Sequence, residues 1–91
     1  MRSRIHVIVS GRVQGVFFRY FTKENAQKLG LFGWVKNTRD ENVELVAEGE
    51  KGDLKILIDK LKEGPPLATV RDLKVEWYDY IGEFTDFGVR Y

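Results

Sequence analysis

The fold class the sequence predicts is an α+β sandwich, an antiparallel sheet with two helices on one face, and three observations predict it. Apolar residues alternate with polar ones over several short runs, the pattern of strands buried on one side. Two other windows carry apolar residues at helical spacing, each ended by glycine. The two kinds of segment follow one another as β-α-β-β-α-β, with a further short strand at the end.

The first strand is read from Ile5, Val7 and Val9, which alternate with Arg4, His6 and Ser10. Gly11 and Gly15 bracket the turn after it. Phe18, Thr22, Ala26 and Leu29 recur at helical spacing, so the first helix is expected from about Phe18 to Leu29, with Gly30 capping its end. Two β-rich runs, Leu31 to Thr38 and Asn42 to Gly49, flank the polar Arg39, Asp40 and Glu41, which reads as a hairpin. The second helix takes Asp53 as its N-cap, places Leu54, Leu57, Ile58 and Leu61 on one face, and stops at Gly64, Pro65 and Pro66. Val70 to Tyr80 alternates Val75 and Trp77 with Lys74 and Glu76, and Phe87, Val89 and Tyr91 alternate in the last strand. That order suits the split βαβ, ferredoxin-like architecture. One domain over residues 1–91 is expected, without repeat, low-complexity tract or linker.

Composition narrows the chemistry. Fifteen basic and fourteen acidic side chains leave a net charge of +1, so no field of one sign holds nucleic acid or a lipid surface, and any anion must be bound locally. The absence of cysteine excludes a disulfide framework, a thiol nucleophile and thiolate zinc sites. With a single histidine, His6, no His cluster can bind metal, and a Ser-His-Asp arrangement would rest on that imidazole alone. Alternating with Ile5 and Val7, His6 reads as a structural or solvent-facing strand residue. No run approaches the roughly 18 apolar residues of a membrane span, and no secretory signal is visible in MRSRIHVIVSGR. A cytoplasmic protein is expected, and 32% charged residues with one Met lean towards a heat-adapted source.

The informative stretch is Ser10-Gly11-Arg12-Val13-Gln14-Gly15-Val16-Phe17-Phe18-Arg19, leading from the first strand into the first helix. Successive backbone N–H groups in such a turn, with those of a helix start, can converge on one anion. No Lys-Ser or Lys-Thr follows the glycines, so this is not a nucleoside-triphosphate loop. Arg19 breaks a local rule, because a cation in the first turn opposes the helix dipole at a cost of about 0.3–1 kcal/mol. A bound anion reverses that sign, and a guanidinium grips two phosphoryl oxygens at once. The spacing fits equally a solvent-exposed arginine with a buried stem. Asn37, near the end of a strand, could hold a water and a phosphoryl oxygen together, or could simply bond its own backbone beside the hairpin, and Thr38 shares that ambiguity. Phe17, Phe18, Tyr20, Phe21 and Trp34 could stack RNA bases in a domain of the same topology, but they read as core and loop packing, since the aromatics fall outside a central strand.

Val9-Ser10-Gly11-Arg12-Val13-Gln14-Gly15-Val16-Phe17-Phe18-Arg19 closely resembles the first signature of the acylphosphatases, and Gly33-Trp34-Val35-Lys36-Asn37 resembles the second. The similarity continues through Gly64-Pro65-Pro66-Leu67-Ala68-Thr69-Val70 and the terminal Phe87-Gly88-Val89-Arg90-Tyr91. Acylphosphatases hydrolyse the mixed anhydride of a carboxylic acid and phosphate without a metal. The resemblance implies that Arg19 and the main-chain N–H groups of Gln14, Gly15, Val16, Phe17, Phe18 and Arg19 bind the phosphoryl group and that Asn37 positions the attacking water; Thr38, next to it, is a candidate supporting residue. It implies small acyl phosphates as substrates, inorganic phosphate or sulfate as product or inhibitor, and no cofactor, metal, nucleic-acid or membrane partner; a monomer is expected.

Elementary chemistry agrees with this implication. The leaving carboxylate is a weak base that needs no general acid, and the phosphoryl transition state asks chiefly for alignment and charge stabilisation. One position departs from the family pattern: Glu41 stands in the hairpin turn where the family usually has Gly, and Asn42 is expected to take the left-handed conformation instead. Two other functions remain at this point: an acylphosphatase-like accessory module handling carbamoyl phosphate, as in hydrogenase-maturation carbamoyltransferases, and the RNA-binding domain.

Overall fold

Strand β1, Arg2–Arg12, buries Ile5, Val7 and Val9 completely while Arg4, His6 and Ile8 face the other side, as period-two alternation requires. The computed structural model describes residues 1–91 and continues with α1 (Phe18–Lys28), β2 (Phe32–Asn37), β3 (Val43–Glu50), α2 (Lys51–Glu63), β4 (Thr69–Tyr78) and β5 (Phe87–Arg90). The strands form one sheet in the order β4-β1-β3-β2-β5. Strands β1 to β4 pair antiparallel, the ferredoxin-like arrangement. The expectation of a wholly antiparallel sheet is corrected at its last strand: β5 runs parallel to β2, with Val89 opposite Val35, so the sheet is mixed.

That parallel pairing follows from connectivity. β4 and β5 occupy opposite edges, so residues 79–86 must cross the sheet between them. The crossing is tied down by Glu48, whose side chain is 1% exposed. Its carboxylate accepts from the Ile81 N–H at 2.8 Å, from the Gly82 N–H at 3.1 Å and from Arg4 Nη1 at 3.2 Å. Arg4 in turn bonds Glu83 at 2.6 Å, and its guanidinium lies over the Phe84 ring. Burial pushes the Glu48 pKa up, but these N–H groups and Arg4 outweigh it and hold the carboxyl below its ordinary value.

The helices cover one face. Leu54, Leu57 and Leu61 of α2 are fully buried, Ile58 packs beside them, and α1 contributes Phe18, Thr22 and Ala26. Each leucine fully withdrawn from water contributes about 1.5–3 kcal/mol before entropy is counted. α1 lies against β2 and β5, and α2 against β4, β3 and β1. The N-cap expected at Asp53 is corrected to Glu50: β3 passes directly into α2, and the Lys51 N–H is held by the Met1 carbonyl, so Asp53 falls inside the first turn.

Gly11, expected in the turn, belongs to β1. It sits at a bulge with φ 127°, where a Cβ would lie 2.2 Å from the Thr69 carbonyl oxygen, so the strand runs on to Arg12 before the chain turns. Gly33 answers a similar demand on β2: at φ 148° a Cβ would come within 1.9 Å of the Val46 carbonyl oxygen. No helix is long and apolar enough to cross a membrane.

Candidate active site

The loop from β1 to α1 is clamped by two apolar anchors, Val13 and Val16, which are 1% and 8% exposed. Between them Gly15 adopts φ 72°, and Phe17 follows at φ 64°, ψ 24°, a left-handed conformation unusual for an aromatic residue. The ring of Phe17 projects into solvent. None of the main-chain N–H groups of residues 14–19 donates to an acceptor within the chain. The first N–H groups of a helix are ordinarily free, but here the free set extends back through the loop. α1 also has no side-chain N-cap and no acidic residue in its first turn. Nothing in the chain offsets the positive end of this helix, and Arg19 adds to it.

Arg19 forms no ion pair with a carboxylate. Its guanidinium carbon lies 4.8 Å from the centroid of the Tyr91 ring. The arginine thus stays free to bind an anion, and the ring limits where its head can go.

Gln14 joins the loop to the β2–β3 hairpin. Its side-chain amide donates to the carbonyls of Thr38 and Asn42, at 2.8 Å each. The turn there differs from expectation: Glu41, at φ 66°, takes the left-handed conformation, and Asn42 does not. Asn42 is held on both sides. Its carbonyl accepts from Gln14 and from the Thr38 N–H, and its own N–H donates to Thr38 Oγ1 at 3.0 Å. The strain therefore moves one residue earlier, to Glu41. Thr38 is engaged in this turn, since its hydroxyl also donates to Asp40.

Asn37, the last residue of β2, carries a buried side-chain oxygen, Oδ1, with no hydrogen-bond partner in the chain. Buried polar atoms are nearly always paired, so an unpaired one marks strain or a missing ligand. Two clefts meet here. One, of about 540 Å³, runs between α1 and β5 and is bordered by Gly15, Arg19, Tyr20, Lys23, Val89 and Tyr91. The other, of about 530 Å³, is bordered by Lys36, Asn37, Thr38, Arg39, Glu44 and Tyr91. Tyr91 borders both, so the cleft that holds Arg19 and the cleft that holds Asn37 adjoin at that residue.

The other sequence candidates lie elsewhere. His6 is on the helix-free face, with Nε2 2.7 Å from Glu44, in a cross-strand contact and not in either cleft. The aromatics do not form one platform: Phe18 is in the core, Phe17 is at the loop tip, and Trp34 is flanked by Arg90 and Lys36. No group of three His, Asp or Glu side chains is placed to hold a metal ion. Sequence reasoning missed Tyr91 as a part of the site and Gln14 as a tether. Tyr91 was visible as the last alternating residue of a strand and as the end of a segment that resembles the family's, neither of which marks it as part of a site, and a bond from Gln14 to residues 24 and 28 positions away leaves no local signal.

Comparison with known proteins places this chain in a defined group. The acylphosphatase family model matches residues 5–89. An acylphosphatase of Pelotomaculum thermopropionicum is 46% identical over 99% of this chain and 98% of its own length. The crystal structure of acylphosphatase from Bacillus subtilis covers both chains completely, at 40% identity and a TM-score of 0.95. The structure of an acylphosphatase from Coxiella burnetii shares 47% identity over 98% of this chain and 93% of that one, with a TM-score of 0.92. Match in sequence, in length and in the path of the backbone agree, and the chain belongs to the acylphosphatase family.

Proposed function

We propose that the chain hydrolyses the carboxyl–phosphate bond of small acyl phosphates, using the free amides of residues 14–19 with Arg19 to hold the phosphoryl group and Asn37 to hold the water. The observation that carries this reading is the run of unpaired N–H groups, from Gln14 to Arg19, that ends in a guanidinium without a carboxylate partner. Donors fixed by the fold before the anion arrives cost no reorganisation during reaction.

In the step, the water oxygen bonds to phosphorus as the bond between phosphorus and the acyl oxygen breaks. The electron pair leaves with the carboxylate, and one water proton passes to the phosphate, giving a carboxylate and dihydrogen phosphate. Arg19 and the loop amides take up the charge spread over the equatorial oxygens; an arginine in this role is worth about 10³–10⁵ in rate. Asn37 Oδ1, lacking an intrachain donor, accepts from the water and aligns it with phosphorus. Thr38 supports this by fixing the turn that follows Asn37. The mechanism draws on no metal.

Continuous assay of benzoyl phosphate, with and without a chelator, tests it. Rapid hydrolysis unaffected by chelation is expected. Failure to turn over benzoyl, acetyl and carbamoyl phosphates alike would sink the reading.

A further inference from the structure

In-line displacement puts the attacking water and the departing oxygen on opposite sides of phosphorus. Asn37 borders only one of the two clefts at Tyr91, and Arg19 only the other. With water on the Asn37 side, the acyl group leaves on the Arg19 side, along the groove between α1 and β5.

That groove has an unusual charge. Of its eleven bordering residues, two have cationic side chains, Arg19 and Lys23, and none is Asp or Glu, although the chain has fourteen of these. Neither cation is in an ion pair. They are four residues apart on α1, neighbours on one helix face about 6 Å apart along the axis. Like charges at that spacing destabilise a helix, as does positive charge at its start. Glu24, the next residue, is outside the groove and engages the Tyr20 hydroxyl, whose pKa it raises through that hydrogen bond. The Lys23 ammonium is 5.2 Å from the centroid of the Tyr20 ring, which keeps it along the groove wall.

We propose that Lys23 is a specificity residue that binds a second anionic group on the acyl part, so that the favoured substrates are acyl phosphates carrying a further carboxylate or phosphoryl group that reaches one helical turn along α1 from Arg19. The proposal rests on the hydrolytic reading above and adds the direction and charge of the leaving group. An anion bridging Arg19 and Lys23 converts two unfavourable interactions on α1 into favourable ones, whereas a neutral acyl group leaves Lys23 unanswered.

The test compares 3-carboxypropanoyl phosphate with its neutral amide isostere, 3-carbamoylpropanoyl phosphate, on the wild-type chain, Lys23→Gln and Lys23→Glu. A third compound, 3-phosphonopropanoyl phosphate, separates carboxylate from phosphoryl recognition. The wild type is expected to favour the charged substrates several-fold in kcat/KM. Lys23→Gln should erase that preference, a loss of about fivefold on the charged compounds, and Lys23→Glu should invert it, the gap narrowing as salt rises. Hydrolysis of the amide isostere and inhibition by inorganic phosphate should change less than twofold in Lys23→Gln, which also reports an intact fold. Parallel changes on charged and neutral substrates, or no wild-type preference, would overturn the assignment of Lys23 while leaving the hydrolytic reading standing. A wild-type chain inert towards all of these substrates would overturn both.

Discussion

The guanidinium of Arg19 lies over the ring of Tyr91, 4.8 Å from its centroid, and joins the start of the first helix to the last residue of the chain. A cation–π contact of this exposed kind is worth about 0.5–1 kcal/mol, enough to bias where a flexible side chain points. Tyr91→Ala is therefore expected to weaken phosphate binding by about two- to fivefold, and Tyr91→Phe to preserve it. Titration calorimetry with inorganic phosphate measures this, and equal affinities in the two variants would contradict it.

Arg19→Lys keeps the charge but loses the two-pronged grip on phosphoryl oxygens. Turnover of benzoyl phosphate should fall by about 10³ or more, and phosphate affinity should fall with it. Michaelis parameters like those of the wild type would remove Arg19 from the mechanism.

Asn37→Ala should separate the two functions. Phosphate affinity is expected to stay within about twofold while kcat falls by about 10² or more, because the lost oxygen aligns water and holds no charge. Paired measurements of the phosphate inhibition constant and kcat decide it. A matching loss in both would make Asn37 a binding residue.

Glu41 takes the left-handed conformation that costs a residue with a Cβ about 1–2 kcal/mol. Glu41→Gly relieves this but adds backbone freedom to the unfolded chain, so a net gain of about 0.5–1 kcal/mol is expected. Denaturant unfolding at constant slope reads the gain, and a destabilised variant would refute the strain.

Glu48 ties the crossing segment to the sheet, and its carboxyl is held below the ordinary value near 4.5. Its contribution is present in full above that ordinary value and disappears as the pH falls through the lower, folded value. Acid unfolding of the wild type should consequently include a stability loss below about pH 4.5 that Glu48→Gln lacks. Glu48→Ala, which strands the buried end of Arg4, should cost about 3 kcal/mol at neutral pH. Superimposable pH–stability curves for the wild type and Glu48→Gln would argue against this role.

Much of this molecule was legible in one dimension. Period-two alternation placed β1 on the correct face, and the leucines of α2 lie at helical spacing because one side of that helix meets the core. The conflict of a cation in the first turn of α1 singled out Arg19. Boundaries were less legible where a neighbouring chain segment overrides local preference. Gly11 looked like a turn residue but is a bulge beside Thr69, and Asp53 looked like a cap but lies beyond a helix start held by Met1. Asn42 looked better suited than Glu41 to a left-handed turn, yet its bonds with Thr38 and Gln14 hold it out of that conformation.

By itself the sequence determined the element order, the helix-covered face and the loop that carries Arg19, because each depends on residues close together along the chain. Only the tertiary structure decided that β5 returns parallel to β2, that Tyr91 borders both the cleft of Arg19 and the cleft of Asn37, and that Lys23 shares a groove lined by no Asp or Glu. Those relations join positions separated by tens of residues. They are fixed by the crossing segment that Glu48 holds and by the sheet edge to which it leads, and no local pattern of side chains encodes them.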